Sequence, residues 1–519
     1  MKKQKIEKVL LLTGRLASKD LHNLLAKTEA KNLKIDVEVL PIDVAAMITP
    51  SFLLKHLNRN LAKKYDLIIV PGHCSGDFSK LEKLLGAKVV KGTKNLANLS
   101  LMLSQINTKN FSSREDADSI LKKEIKRNAE KELENYLKLE NFQSSRAIIT
   151  SSEKKIYLGV GMPKIVAEIP NAPLLREEEV KKIAKHYVNS GADIINLGMI
   201  PNEDNSSILE PLISSVREVA KLPIAIDSLN KDEILTAIEN NINLVLSLDP
   251  KNYSLLNEIS PEKISSLAFV VIPARENFPI RSEKRAETMM KFIRKIKSNY
   301  PKVNLIADPI LDLNSFLESI LAYKIIREAE KDLPMLIGIG NITELMDIDS
   351  IGINGILTFL AYELDVDLIF TTEASDKTFN AVKEINLARK MFFLAKKKKQ
   401  FPKDLGIDLL RLKEKRKRRY PSYKDENVPL VIPKPRETKL EDVEFKIYID
   451  NSHIFVVIYK EGKAVMKLKG KNAKELYLEI IAQGFIKELS HAAYLGKELE
   501  KAEIALKLGR SYVQDEDLF

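Results

Sequence analysis

Tryptophan is absent from this chain of 519 residues and cysteine occurs once, as Cys74. A lone thiol excludes an internal disulfide, a cysteine-ligated iron–sulfur cluster and a thiolate zinc site built within one chain. No metal site is expected, and any redox chemistry has to be brought in. No apolar run approaches the roughly 20 residues that cross a bilayer. Met1-Lys2-Lys3-Gln4 leads into a strand rather than a signal-peptide core. The expectation is a soluble, cytoplasmic protein with no membrane partner. Neither Gly-x-Gly-x-x-Gly nor a P-loop spacing occurs, which removes the two commonest nucleotide cradles.

What the chain does have is length, apolar residues at 45% and an excess of positive charge, +11. That length exceeds what one hydrophobic core organises, so two to four domains are expected. The charge is local. Lys396–Lys399 and the seven bases between Arg411 and Arg419, set against Glu414, carry nearly all of it. A basic run at one junction reads as a solvated connector, so nucleic acid is not an expected partner. Abundant Lys, Glu and Ile suit a thermophile.

Five segments follow from the patterning. Residues 1–110 carry Val9–Gly14 and Leu67–Gly72, apolar runs that end in glycine, with a middle strand near Ile35–Leu40. This is the grammar of a parallel α/β domain of the Rossmann or flavodoxin kind. Residues 111–150 are highly charged with leucine at helical spacing, a helical connector. Between 151 and 400, strand-like runs alternate with amphipathic helices. They fall near Ile156–Val160 or Ile165–Ile169, Asp193–Leu197, Pro223–Ile226, Asn243–Ser247, Ala268–Ile272, Asn304–Ala307, Met335–Gly338 and Asp367–Phe370. Eight such strands over this length predict a (β/α)8 TIM barrel. Residues 401–441 form a basic, proline-containing linker. Residues 442–519 predict a small α+β domain, a three-stranded meander followed by two helices near Ala473–Phe485 and His491–Leu508. The fold class is thus α/β, a central barrel between two smaller domains.

In a (β/α)8 barrel the active site lies at the carboxyl ends of the strands. Here those positions hold Glu168, Asn171, Asn196, Asp227, Ser247 with Asp249, Asp308 and Asn341. Each could serve merely to cap the following helix. Two aspartates ending separate strands form the sharpest feature. One carboxylate accepts two adjacent N–H donors as a bidentate pair, and an amide serves a mixed donor and acceptor edge.

Four motifs, Gly191-Ala192-Asp193-Ile194-Ile195-Asn196-Leu197-Gly198, Pro223-Ile224-Ala225-Ile226-Asp227-Ser228, Ala307-Asp308-Pro309 and Pro334–Asn341, resemble the second, third, sixth and seventh strands of dihydropteroate synthases. They are similar to methyltetrahydrofolate:corrinoid methyltransferases as well. With its flanking domains, the whole chain resembles the archaeal dihydropteroate synthase-related family. That resemblance implies a pterin-binding transferase of one-carbon metabolism, acting on a tetrahydromethanopterin- or folate-type pterin in cofactor assembly or methyl transfer. It implies Asn196, Asp227, Asp308 and Asn341 as pterin contacts, and Glu168, Asp249 and Asn341 as the catalytic set.

The departures matter as much. In dihydropteroate synthases the seventh strand ends in Ser-Arg-Lys and the eighth in Arg-x-His, the groups that serve the pterin and the leaving pyrophosphate. Here the matching stretches are Gly340-Asn341-Ile342-Thr343 and Phe370-Thr371-Thr372-Glu373, without a cation. Arg275 and Arg281, after the fifth strand, are the available replacements. Gly338-Ile339-Gly340-Asn341 is closer to the Gly-x-Ser-Asn of the corrinoid methyltransferases. No corrinoid-binding Asp-x-His-x-x-Gly occurs, so a corrinoid has to arrive on a partner protein. Genuine condensation of a pterin diphosphate with an arylamine, and pterin binding without turnover, remain the alternatives; a homodimer is left open.

Other residues read more plainly. His73-Cys74 sits in a glycine-rich turn that favours a buried thiol over a nucleophile, while Gly14 and Gly72 are candidates to cradle an anion. His186 reads as a surface or packing histidine. His491, Tyr494 and Glu498 share one helix face, expected to dock on the barrel.

Overall fold

The structure, a computed structural model, describes residues 5–28, 33–138, 145–274, 278–412, 433 and 442–518. Two compact units divide the chain, Met1–Lys413 and Glu414–Phe519. The expected linker lies largely outside the described residues.

The first unit opens with four parallel strands, β1 (Lys8–Thr13), β2 (Lys34–Val39), β3 (Leu67–Val70) and β4 (Lys88–Lys91), in the order β2-β1-β3-β4. Leu10, Leu12, Ile68 and Val70 enter the core on one face, and Val9, Leu11, Leu67 and Ile69 the core on the other. Burial on both faces is why these runs are apolar throughout rather than alternating. The connector is a short helix, Ala117–Ile120, and a long one, Lys122–Lys138. The long helix packs on the last barrel helix, Ala381–Lys398, with Tyr136 and Phe393 ring centroids 4.2 Å apart.

A hairpin comes next, β5 (Ala147–Thr150) and β6 (Lys155–Leu158). It precedes the barrel strands β7 (Lys164–Ile169), β8 (Ile194–Gly198), β9 (Ile224–Asp227), β10 (Leu244–Leu248), β11 (Ala268–Val271), β12 (Asn304–Ala307), β13 (Leu336–Gly338) and β14 (Leu368–Thr372). The first barrel strand is therefore Lys164–Ile169, the second of the two placements open in the sequence; the earlier run belongs to the hairpin. All eight pair in parallel as β12-β11-β10-β9-β8-β7-β14-β13. A bridge between Ala307 and Met335 joins the two ends of that order and closes the barrel.

Side-chain alternation fills the interior in layers. Ile149, Ile156 and Leu158 of the hairpin join Val166, Ile194, Ala225, Leu246, Val270, Ile306, Leu336 and Leu368 in one apolar cluster. The hairpin thus plugs the amino-terminal end. Arg146, just before β5, reaches Asp367 Oδ1 at 2.8 Å, and Arg327 reaches its other oxygen at 3.2 Å. A fully buried carboxylate held by two guanidiniums locks the hairpin to the barrel floor.

The second unit holds antiparallel strands β15 (Val443–Ile449), β16 (Ile454–Lys460) and β17 (Lys463–Gly470), then helices Ala473–Ala482 and Leu489–Leu508. Phe445, Ile447, Val456 and Ile458 bury one sheet face against Leu476, Ile480, Leu495 and Leu499. The His491, Tyr494 and Glu498 face makes contacts within this unit. His491 meets the Phe445 ring, Tyr494 donates to Asp515 at 2.8 Å, and Glu498 accepts from Tyr512 at 2.9 Å. No helix among the described residues is long and apolar enough to cross a membrane.

Candidate functional site

Two residues beyond the apolar layer, the same alternation places a different set on the barrel interior. Val166 leads to Glu168, Ile194 to Asn196, Ala225 to Asp227 and Ile306 to Asp308, with Thr372 beside Glu168 in register. Polar groups therefore converge at the carboxyl mouth above an apolar interior.

Glu168 is the carboxylate at the end of the first barrel strand. Its backbone carbonyl accepts from Tyr187 Oη at 2.8 Å, and its Oε1 lies 3.5 Å from Asn196 Nδ2. Gly198 makes room for it: a Cβ there would meet Oε1 at 2.4 Å. Burial, and then the neighbouring Asp227 charge, push the Glu168 carboxyl up to about 8, so it is protonated at neutral pH. Asn196 is wholly buried, and its Oδ1 has no hydrogen-bond partner among the described residues; the Thr372 hydroxyl is in the same condition. Unsatisfied buried acceptors are rare and costly, and a ligand with a donor edge would relieve this one.

Asp227 accepts from Ser247 Oγ at 2.6 Å. Asp308 accepts on Oδ1 from Tyr323 Oη at 2.7 Å and from the Ile310 N–H at 2.8 Å. Burial outweighs those two donors and, with a contribution from Asp227, holds Asp308 up at about 6. Asp227 is thus felt by both other carboxylates, and the three form one electrostatic group. Among the described residues no Lys or Arg makes an ion pair with Glu168 or Asp308, and no group of His, Cys, Asp and Glu is arranged to hold a metal.

The remaining strand-end residues play other parts. Asn341 is exposed at the rim, its Nδ2 3.4 Å from Leu311 O, in the short helix Gly340–Thr343 after β13. Asn171 turns the chain after β7 with φ +47°. Asp249 is buried, and its Oδ1 accepts from the Lys251 and Asn252 N–H groups at 2.8 and 3.0 Å, a turn cap rather than a group aimed across the mouth. Arg281 is exposed and reaches Glu318 at 3.4 Å; Arg275 lies outside the described residues. Glu373, beyond β14, is bound to His186 Nε2 at 2.9 Å and to the Val382 N–H at 3.1 Å. His186 is therefore a packing histidine, stacked on Phe379 and bonded to the residue that follows the eighth strand. The sequence assigns no site role to Tyr323, Gly198 or Thr372. Gly198 and Thr372 carry a signal, their even spacing from Ile194 and Leu368.

In the first domain, Cys74 Sγ donates to Ala45 O at 3.4 Å, and burial pushes the thiol up to about 12. Thiolate reactivity is suppressed at that value. The native protein at pH 8 should resist iodoacetamide while the unfolded chain is alkylated; mass spectrometry of the two samples checks this, and rapid native labelling would contradict it. At Gly14 the first amides of helix Arg15–Leu25 are already taken, Arg15 N by Ile42 O at 2.8 Å and Leu16 N by Asp43 O at 3.2 Å.

These features define a class, a (β/α)8-barrel protein with a carboxylate-lined mouth at the carboxyl ends of its strands. An uncharacterized protein of Methanocaldococcus jannaschii is 34% identical over 99% of this chain and 100% of its own. The chain belongs to the family of that archaeal protein. Residues 443–515 match the family model described as PterinBD-DUF4346, and residues 7–94 match a family of unknown function, DUF6513. The barrel resembles dihydropteroate synthases. That of Xanthomonas albilineans, solved with indole-2-carboxylic acid and 6-chloroguanine, is 13% identical, with 46% of this chain and 96% of that chain covered and a TM-score of 0.38. The Thermus thermophilus enzyme is 15% identical over 47% of this chain and 98% of that one, again with a TM-score of 0.38.

Proposed function

We propose that the barrel is a pterin-dependent transferase of one-carbon metabolism whose substrate is a tetrahydropterin of the methanopterin or folate type. The observation that carries this reading is the convergence of Asp227, Asp308 and the unsatisfied Asn196 Oδ1 in one interior layer at the mouth. A pterin offers a 2-amino group and a ring N–H side by side, the donor edge that such acceptors fit. On this reading Asn341, exposed at the rim, serves the outer part of the ring.

Methyl transfer is the reaction these groups serve best. As the N–CH3 bond breaks, its electron pair stays on nitrogen, the methyl group passes to a nucleophilic acceptor, and nitrogen takes a proton. Glu168, protonated at neutral pH and buried beside Asn196, is the proton donor. Asp249 remains a further proton-handling candidate only if its turn opens. A corrinoid, if it is the acceptor, comes with a partner protein.

Calorimetry with a tetrahydropterin, followed by methyl transfer from its N-methyl form to cob(I)alamin, tests the reading. Micromolar binding with turnover supports it; binding without turnover leaves a carrier or regulatory module; no binding sinks it. Asp227→Asn and Asp308→Asn should each weaken binding about 100-fold, from loss of one charge-assisted hydrogen bond of about 1.5–3 kcal/mol while the amide oxygen keeps the other. Asparagine is the right replacement because it still accepts from Tyr323 at position 308, so melting temperatures should change little. Unchanged affinity in both variants would move the pterin elsewhere.

A further inference from the structure

Two residues at the mouth hold a backbone conformation that side chains disfavour, Ser247 at φ +67° and Ile310 at φ +66°. Each donates to one of the strand-end aspartates, Ser247 through Oγ to Asp227 and Ile310 through its N–H to Asp308. For a β-branched residue the left-handed region is an outlier. A turn that needs positive φ after proline ordinarily places glycine there, yet Ile310 follows Pro309. Strain of this kind persists only where the surroundings over-determine it.

Arg285 supplies the restraint. Its side chain is fully buried, on helix Ser282–Asn299, and Nη1 donates to Ile310 O at 3.1 Å. The other bonds go to Pro279 O at 2.8 Å, Ile280 O at 3.4 Å and Ser315 Oγ at 2.9 Å, and the guanidinium lies 4.4 Å from the Phe278 ring centre. None of these acceptors is a carboxylate. Among the described residues its hydrogen bonds all end on neutral groups; the Asp312 and Glu318 charges act on it from nearby, Asp312 through the shared Ser315 hydroxyl, so direct ion pairing does not account for its position.

We propose that Arg285 is a positioning residue of the mouth: by clamping the Ile310 carbonyl in its left-handed turn, it keeps the Ile310 N–H aimed at the Asp308 carboxylate. The part Asp308 plays in ligand binding rests on the pterin reading; the clamp does not. The other groups facing Asp308 are Tyr323 from helix Phe316–Ala329 and Asp227 from β9, with Arg285 itself acting on Tyr323.

The test is the titration of Asp308 in the ligand-free full chain, followed by carbon-13 NMR of labelled aspartate carboxyls and assigned by the signal lost in Asp308→Asn. Arg285→Lys keeps the charge but not the fork. It should raise the Asp308 midpoint by a pH unit or more, a tenfold gain in proton affinity, because the lost N–H bond favoured the charged form. In the Ile310→Gly background, where glycine adopts the turn unaided, the same change should shift the affinity less than twofold. An unmoved midpoint, or equal shifts in both backgrounds, overturns the clamp. If Arg285→Lys fails to fold while Arg285→Lys with Ile310→Gly folds, the clamp is supported; if neither folds, Arg285 serves the structure at large and the proposal fails. Loss of pterin binding with this coupling intact would count against the functional reading alone.

Discussion

Glu168→Gln is expected to slow methyl transfer by about 100- to 10,000-fold, the range lost when a positioned general acid is removed, with tetrahydropterin affinity within about threefold of wild type. Glutamine keeps the shape that Gly198 accommodates and the acceptor facing Asn196, but has no acidic proton. The pH profile is the sharper readout. With Glu168 at about 8 and Asp308 at about 6, the wild-type rate should be level between those values and fall tenfold per pH unit above the higher one; the variant should lose this upper limb. Stability follows the same proton. The native carboxyl holds its proton through a window in which the unfolded one, near the ordinary glutamate value, has lost it. Wild-type stability therefore declines as pH rises through that window, by at most about 1.4 kcal/mol per unit for one proton, and is level above about 8. Thermal melts at pH 6 and pH 9 should show Glu168→Gln relatively more stable at the higher pH. Full transfer activity in the variant would remove Glu168 from the reaction.

Condensation of a pterin diphosphate with p-aminobenzoate should be undetectable above background. A departing pyrophosphate concentrates negative charge that positioned donors must stabilise, and removing one such donor costs about 2.7–4 kcal/mol, or 100- to 1000-fold. The stretches that carry those cations in dihydropteroate synthases here read Gly340-Asn341-Ile342-Thr343 and Phe370-Thr371-Thr372-Glu373. Glu373, an acid at the place of a base, is turned to His186 and to a helix N–H. Incubation with Mg2+ and both substrates, with chromatography for the pteroate product, measures this. Efficient condensation would mean that cations from another loop serve the leaving group, and would rank the synthase reading first.

Much of this site was legible because strand periodicity is strict. Once Ile194, Ala225 and Ile306 are inward-facing, Asn196, Asp227 and Asp308 must be as well, two residues on. Asn304–Ala307 has the expected bounds, and the other strands differ from expectation by a residue or two. Elements with little apolar content were harder. β4 offers only Val89 and Val90 between lysines, and nothing local marks the β5–β6 hairpin as a plug until the barrel above it is built. The groups that tune the carboxylates were invisible for a different reason. Tyr323 reaches Asp308 from the following helix, and Arg285 reaches Ile310 across 25 positions of sequence, so neither contact has a periodic trace. The left-handed turns at Ser247 and Ile310 carry residues that ordinarily argue against such a conformation. His186 likewise depends on a partner 187 positions away, Glu373, which its amphipathic helix gives no means of anticipating.

The most direct measurement is a crystal structure of the full chain grown with a tetrahydropterin. The predicted result is a ring inside the carboxyl mouth, with its 2-amino and ring N–H edge on Asp227 and Asp308, the Asn196 Oδ1 satisfied by a ring donor, and Glu168 within hydrogen-bond reach of the nitrogen that carries the methyl group. A ring bound outside the mouth, or an empty mouth at saturating pterin, would contradict it.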